Sequence, residues 1–566
     1  MNQTKQSHLH LYLLLGALLV ALGLRLVRLG HLPLDDGEAT LALQALAAAR
    51  GSGTMFGSFP AYVGLTGLSF KLFADTDFLA RFWPALAGAL IVFVPPLFRK
   101  WIGQWPATIL SIVLAVSPEM VDLSRIVGSP MMAFVLLLLA VGLFLNRKPG
   151  FSGIALALAL MSGVGFWIGV VILGISVGLS TWVFHVSEIL DLSEIEDKKS
   201  FWTNFGLAFG ATVLLVGTGF FMAPANLGGV FGGLADFIRG FAQSSGTPLL
   251  HYFLVLIGYT SEALLIGLIG SIRTVFTKSK LDIFLAVWWL VGLAFVILYP
   301  AGGSADMVWV TLPLWLLTVR VMFFAWRKPR EYRFVMIVTA IAVVIVMAFM
   351  LLAFRGLINA PYAQGQNWNF LLAIIGGAVL LVAIVILVWL GWSQEAGISG
   401  LLAGLAVVFV VGLFALSIHS TGLAPKTSVE LWYPDRDRVS TEWLRVELDR
   451  VIDWNTSGQG PLEIAVSDFD VPAMRWFLRD DKSVVFLPYL PLDSQPGVLI
   501  TGIEESPEAA SGYRGQDMLW SQEVVWSAAT PVQYLSWLLT RDAPQVDHQI
   551  ILWVRTDLMP DYQILN

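Results

Sequence analysis

The sequence predicts a polytopic α-helical membrane protein of about thirteen transmembrane helices, followed by a soluble α/β domain at its C-terminal end. Three observations predict it. Of 566 residues, 57% are hydrophobic and 13% charged, whereas soluble chains carry about a quarter charged residues. Apolar runs of roughly 20 residues, enough to cross about 30 Å of hydrocarbon, recur from near residue 10 to near residue 420. No run of that length follows Thr421, and Pro434-Asp435-Arg436-Asp437-Arg438 opens a strongly charged remainder.

Charge separates the same two parts, 1–424 and 425–566. From residue 425 onward 11 Lys and Arg face 22 Asp and Glu, which leaves 23 against 18 for the apolar part. An acidic tail offers nothing to a nucleic-acid backbone, whose binding needs clustered Lys and Arg, so that class of partner is set aside. The chain has no cysteine, which excludes disulfides, thiolate metal sites and a cysteine nucleophile. The first apolar segment, Leu11 to Val27, ends between Arg25 and Arg28 without a small-residue cleavage signal. It reads as a retained anchor.

The spans fall near 10–28, 79–99, 105–124, 130–146, 151–165, 166–184, 204–224, 249–273, 281–300, 306–326, 333–354, 368–392 and 397–420. The fifth and sixth are short and meet at Gly163 and Gly165, so one broken passage is the alternative there. With the N-terminus cytoplasmic, the even connections hold Arg99-Lys100, Arg147-Lys148, Lys198-Lys199, Arg273 with Lys278 and Lys280, and Arg327-Lys328 with Arg330 and Arg333. This is the positive-inside pattern. An odd number of spans then places the C-terminal domain on the extracytoplasmic side.

The first external loop, 29–78, carries the densest chemistry. Asp35-Asp36-Gly37-Glu38-Ala39 opens an amphipathic stretch, Leu41 to Arg50, stopped by Gly51, and this stretch is expected to lie along the outer membrane surface. A second apolar piece, Tyr62 to Phe73, precedes Asp77 and Arg81. One reading of Asp35, Asp36 and Glu38 is helix capping, because an acid in the first turn satisfies free amides and complements the dipole. The other is chemical. Carboxylates fixed at the membrane surface can take a proton from an acceptor hydroxyl or hold a divalent cation against a phosphate.

Further polar groups sit at the outer ends of spans. Glu119, Asp122 and Arg125 read as a short external turn, either solvated with an internal ion pair or offering Arg125 as a bidentate phosphate clamp. A glycine-rich loop, 225–248, contains the amphipathic run Phe231 to Phe241 with Asp236 and Arg239, suited to shaping a lipid entrance. His251 follows as an interfacial polar residue or a substrate contact, Asp306 as a helix N-cap, and Arg355 as a snorkelling or phosphate-facing cation.

Beyond residue 425 helical and strand patterns alternate: helices over 441–454, 471–478 and 531–539, and strands over 462–466, 483–487, 497–501, 522–526 and 550–554. They make one small α/β unit. Asp468-Phe469-Asp470 follows a strand, but without a Gly-rich phosphate loop it reads as a solvated turn.

The order of motifs resembles GT-C enzymes, the lipid-linked-sugar glycosyltransferases that include protein O-mannosyltransferases and aminoarabinose transferases, and a flippase-associated family. Asp36-Gly37-Glu38-Ala39, the small-residue helix Ala45 to Gly51, Pro60, Ala74-Asp75-Thr76-Asp77, Arg81 and Gly88 carry it, with Ser117-Pro118 to Arg125. The family's adjacent Asp-Glu is split here by Gly37, and Ser129-Pro130 stands where an acid follows Arg125. A second match is Trp476-Phe477-Leu478-Arg479-Asp480, similar to Trp-Tyr-Leu-Arg-Asp in the flippase-associated family.

The resemblance implies a GT-C-like membrane domain that takes a sugar from a polyprenyl-phosphate donor on the external face. The acceptor would be a hydroxyl of a protein, lipid or glycan. Asp36 or Glu38, beside Asp35, would be the general base, or with a Mg or Mn ion the metal ligands. Arg125, Arg81, His251 and Arg355 would contact substrate. The alternative is a non-catalytic protein of the same fold that handles lipid-linked sugars. A transporter is disfavoured, because its ionisable residues lie near the membrane midplane and its halves repeat.

Overall fold

The computed structural model describes residues 2–52, 57–183, 197–222, 224–326, 332–359, 367–421, 429–432, 438–455, 462–481, 483–491, 494–503, 512–526 and 529–559. Helix α1 (Asn2–Leu26) leads to α2 (Asp36–Arg50) and α3 (Pro60–Leu72) in the first loop. The membrane part continues through α4 (Asp77–Ala89), the short turns α5 (Val94–Leu97) and α6 (Arg99–Ile102), α7 (Gln104–Val116), α8 (Pro118–Ser124), α9 (Met131–Leu145), α10 (Pro149–Leu160), α11 (Val164–Trp182) and α12 (Lys198–Gly217). It closes with α13 (Gly232–Arg239), α14 (Leu249–Thr277), α15 (Lys280–Leu298), α16 (Val308–Trp326), α17 (Arg333–Asn359), α18 (Asn367–Gly391) and α19 (Gln394–Ser420).

Among the described residues ten helices are long and apolar enough to cross a membrane, and one bent pair raises the number to eleven at most. The bent pair is α7 and α8, which meet at 56°. Pro118 causes the bend, since a residue before proline is driven out of the helical region and Ser117 sits at φ −65°, ψ 123°. Helices α9 and α10 are apolar but shorter. The expected thirteen spans therefore resolve into ten long helices, a bent pair and two short helices, a distinction that hydropathy alone does not make. Spans five and six are not one broken passage. Gly163, at φ +87°, turns the chain between α10 and α11; both touch α9, but α10 packs otherwise on α12 and α11 on α13 and α15.

The connections gather at two opposite ends. At one, Val127 N–H reaches Glu38 and Arg125 reaches the carbonyl of Val27, Ala61 N–H donates to Met161 O at 3.0 Å, and Ser245 N–H to Pro300 O at 2.9 Å. At the other, Asn146 donates to Leu97 O at 2.7 Å and Phe144 packs on Phe201. Arg99, Lys100, Arg147, Lys148, Lys198, Lys199, Lys278 and Lys280 belong to this second end. Arg327, Lys328 and Arg330 lie outside the described residues.

The C-terminal part forms a six-stranded sheet in the order β1-β5-β6-β4-β2-β3, from β1 (Arg438–Val439), β2 (Ile464–Ser467), β3 (Val484–Leu487), β4 (Val498–Gly502), β5 (Tyr513–Val524) and β6 (Gln545–Arg555). Strands β3, β2 and β4 run parallel, and β6, β5 and β1 continue antiparallel. Helices α20 (Glu442–Asn455), α21 (Pro472–Phe477) and α22 (Pro531–Thr540) accompany it. Strands β2 and β4 are buried on both faces, which gives them the continuous apolar runs expected of parallel strands. Strand β5 begins at Tyr513, nine residues before the expected 522, because its first half exposes Arg514, Gln516 and Asp517 and lacks an apolar run. The segment 422–428, which holds the expected domain boundary, and 433–437, which holds Pro434 to Asp437, lie outside the described residues.

Candidate active site

The first turn of α2 sends its three acids in three directions. Asp35 is the N-cap, and its carboxylate accepts the Glu38 amide at 2.8 Å. Glu38 is 1% exposed and faces inward. Its carboxylate accepts both Nε and Nη2 of Arg81, at 2.9 and 2.5 Å, and the Val127 amide at 3.0 Å. The other N–H groups of Arg81 hold the carbonyls of Leu29, Leu32 and Pro33. This buried pair therefore ties the entry to α2, the start of α4 and the 126–128 turn together.

Asp36 turns the other way, and its Oδ1 accepts the backbone N–H of Ala473 at 2.8 Å. Helix α21 opens on Pro472 and has no side-chain cap of its own, so Asp36 caps it from another part of the chain. The second oxygen of Asp36 accepts no hydrogen bond from the described residues.

Helix α21 is pinned to the first loop by the motif that follows. Trp476 Nε1 donates to Asp77 Oδ1 at 2.7 Å, and Arg479 donates to Asp75 O at 3.1 and 2.5 Å. The Arg479 guanidinium lies 4.0 Å above the Trp476 ring, whose other neighbour is Phe70 at 5.8 Å. Ala74 to Asp77 and Trp476 to Asp480 thus meet directly, a few residues along α21 from the Asp36–Ala473 bond. Helix α2 is consequently packed against both α3 and α21.

A cavity of about 1150 Å³ opens where these elements meet. Ile126, Val127, Pro130, Val164 and Ile168 make its membrane-side floor, and Phe469, Val471, Trp520, Glu523 and His548 of the sheet domain its opposite wall. Six carboxylates line it, Asp35, Asp36, Glu38, Asp236, Asp306 and Glu523, and among the described lining residues there is no Lys or Arg. The first turns of α2 and α11 and the Gly303–Asp306 turn before α16 also face it. The Glu38 and Gly303 amides there are already taken by Asp35 and Asp306, and helix starts carry partial positive charge of their own where basic side chains are lacking.

Several groups sit otherwise than the sequence suggested. Glu119, Asp122 and Arg125 are buried, not in a solvated turn, because the bend at Pro118 carries α8 inward against α4 and α19. Glu119 accepts the Thr311 hydroxyl at 2.6 Å. Arg125 donates to the carbonyls of Leu24, Arg25, Val27, Arg28 and Thr421, and so braces the end of α1 against that of α19. It is not among the residues lining the cavity. His251 is 1% exposed and lies against the Trp526 ring at 5.5 Å, outside the cavity. Arg355 is exposed near the end of α17, also outside it.

Asp306 is the third residue of a short 3-10 turn, not an N-cap, and its carboxylate reaches back to the Gly303 amide at 3.0 Å. The turn after β2 exposes Asp468 and Asp470 to solvent, with Asp470 paired to Arg475, while Phe469 enters the cavity wall. Tyr299 lines the cavity too. Burial, then Asp306 and Asp236, push its phenol up to about 12, so it remains a neutral donor to Phe237 O at 2.9 Å. Tyr299, Trp520, Glu523 and His548 carry no motif in the sequence; Tyr299 reaches the cavity from the end of α15, and Phe469, Trp520, Glu523 and His548 reach it from the docked sheet domain.

The carboxylates do not form a ready metal centre. Among the described residues no three His, Asp or Glu converge on one point, and Glu38 is committed to Arg81 and Val127.

No protein-family model matches the sequence, and no curated protein matches it. Solved structures do. The chain is similar to ArnT from Cupriavidus metallidurans bound to undecaprenyl phosphate, with 14% identity and a TM-score of 0.53 over 98% of this chain and 99% of that one. It is similar to the apo state of the same protein with 15% identity and a TM-score of 0.51, over 99% and 100%. At this identity the likeness shows the fold. The chain is a multi-pass membrane protein with the fold of those structures and a small C-terminal sheet domain.

Proposed function

We propose that this chain is a membrane glycosyltransferase, moving a sugar from a polyprenyl-phosphate donor to a hydroxyl acceptor. The observation that carries the reading is Asp36: one carboxylate oxygen is fixed by the Ala473 amide while the residue borders a large cavity with an apolar floor and a polar, aromatic roof. The likeness to a protein solved with undecaprenyl phosphate supports a donor of that lipid class.

In this reading the polyprenyl chain lies toward Ile126, Pro130, Val164 and Ile168, and the sugar lies among the acids and aromatic rings. Asp36 takes the proton of the acceptor hydroxyl as that oxygen attacks the anomeric carbon. The bond from the anomeric carbon to the phosphate oxygen breaks, and polyprenyl phosphate leaves with the electron pair. Amides at the first turns of α2 and α11 stabilise its charge. Glu38 and Arg81 hold the turn that aims Asp36. The basic residues at the end opposite the cavity support an external site and a cytoplasmic N-terminus.

A second reading, a non-catalytic lipid-handling protein, is favoured by one observation, the lack of Lys and Arg among the described cavity residues. One experiment separates the two. Purified protein in lipid is given a panel of radiolabelled polyprenyl-phosphate sugars with candidate acceptors. Transferred label establishes the enzyme; bound lipid with no transfer from any donor selects the second reading.

A further inference from the structure

The segment of the sheet domain that meets Asp36 does more than border the cavity. Asp36 is a first-turn residue of α2, on a short exposed side chain that is free to take several rotamers. One bond restricts it, the one from Ala473 N–H at 2.8 Å. That amide belongs to α21, a helix of only six residues whose own sequence supplies no side-chain cap. Such a short helix does not hold its place by itself.

Its place is set next door, where Trp476 donates to the Asp77 carboxylate and Arg479 straddles the Asp75 carbonyl and carboxylate. Trp476 is 3% exposed, pressed between Phe70 and the Arg479 guanidinium. Asp75 and Asp77 themselves lie at the start of α4, whose Arg81 grips Glu38, two residues from Asp36. The contacts form a ring: Asp36 to Ala473, along α21 to Trp476 and Arg479, across to Asp75 and Asp77, and through Arg81 and Glu38 back to α2.

We infer that Trp476 and Arg479 are positioning residues for Asp36, so that the sheet domain completes the active site instead of only presenting an acceptor to it. The inference rests on the proposed glycosyl transfer. It has a physical consequence of its own. Neither side chain is among the residues lining the cavity, so each would act on transfer through Asp36 and not through a contact of its own. Loosening them leaves the lipid and sugar contacts in place and lets the Asp36 carboxylate wander. A displacement of about 1 Å at a reacting group costs on the order of 100-fold in rate, and it is felt in kcat and not in KM.

The test uses the full chain in lipid and two readouts. Hydrogen exchange at the Ala473 amide needs no substrate, and kcat with KM for the donor needs turnover. Trp476→Phe keeps the ring on Phe70 and removes only the N–H donor. Asp77→Ala removes the acceptor, whereas Asp77→Asn keeps an oxygen that accepts. Arg479→Gln tests the second anchor. The expected result is faster exchange at Ala473 in Trp476→Phe, Asp77→Ala and Arg479→Gln, with kcat lower by about 10- to 100-fold and KM within about two-fold. Asp77→Asn restores both.

Unchanged exchange at Ala473 in all three variants overturns the inference, as does faster exchange with kcat intact. A fall in kcat that Asp77→Asn fails to restore, with a lowered unfolding temperature, reduces the ring to a structural contact and also overturns it. A parent protein that transfers no sugar defeats the glycosyltransferase reading instead, and the exchange result then decides by itself whether the anchor holds the partner of Asp36.

Discussion

Asp36 and Ala473 lie 437 positions apart and share a 2.8 Å hydrogen bond from the Ala473 amide to Asp36 Oδ1. The bond gives the acid two tasks, capping α21 with one oxygen and facing the cavity with the rest of the carboxylate. Substitutions separate them. Asp36→Ala removes the cap and costs about 1 kcal/mol of local stability, seen as faster exchange across residues 473–477. Asp36→Asn keeps an acceptor and leaves that exchange near the parent level. Identical exchange in Asp36→Ala and parent would show that the amide does not depend on Asp36.

Glu38 and Arg81 are expected to act on stability. Their side chains are 1% and 4% exposed, so removing one partner strands a buried charge. Arg81→Ala or Glu38→Ala loses about 3–5 kcal/mol, measured by thermal unfolding in detergent. The double variant Glu38→Gln with Arg81→Met recovers part of that loss, since no unpaired charge remains. An Arg81→Ala protein of parental stability that has lost donor binding would instead assign Arg81 to the phosphate.

Arg125 is expected to behave as a brace. Five carbonyls from the end of α1 and from Thr421 occupy its guanidinium, and a lysine ammonium cannot reproduce that fork. Both Arg125→Lys and Arg125→Ala then lower the unfolding temperature, with donor affinity, read by undecaprenyl phosphate binding, changed little in the folded fraction. Weaker binding at unchanged stability would restore the phosphate-clamp reading.

Chelation addresses the cation expected from the acidic motif. Glu38 is already satisfied by protein donors, and among the described residues no three ligands converge. Transfer is therefore expected to survive excess EDTA within about two-fold of the untreated rate. Loss of transfer that Mg or Mn restores would assign Asp36 to metal binding, with the donor phosphate completing the coordination.

The sequence carried the architecture further than it carried the site. Hydropathy located every apolar segment, but span counting could not see that Pro118 bends α7 into α8, or that α9 and α10 stop short. The same bend hid the burial of Glu119 and Arg125, which a linear reading left in a loop. The acidic motif was legible because capping chemistry and catalysis ask for the same residue types at a helix start. Which of the cavity-lining acids is committed to a buried ion pair was not, since it depends on where Arg81 and Ala473 approach α2. The Trp476 to Asp480 segment stood out by resemblance, and only the docked sheet places it against Asp75 and Asp77. Tyr299, Phe469 and His548 reach the cavity through tertiary packing, for which periodicity leaves no signal.

The most direct test of the account is single-turnover transfer of labelled sugar from polyprenyl phosphate, comparing the parent with Asp36→Asn in the same lipid. The expected result is transfer by the parent and a fall of about 10²- to 10⁴-fold in Asp36→Asn, with lipid binding and unfolding temperature unchanged. Equal transfer by the two proteins would contradict a catalytic role for Asp36.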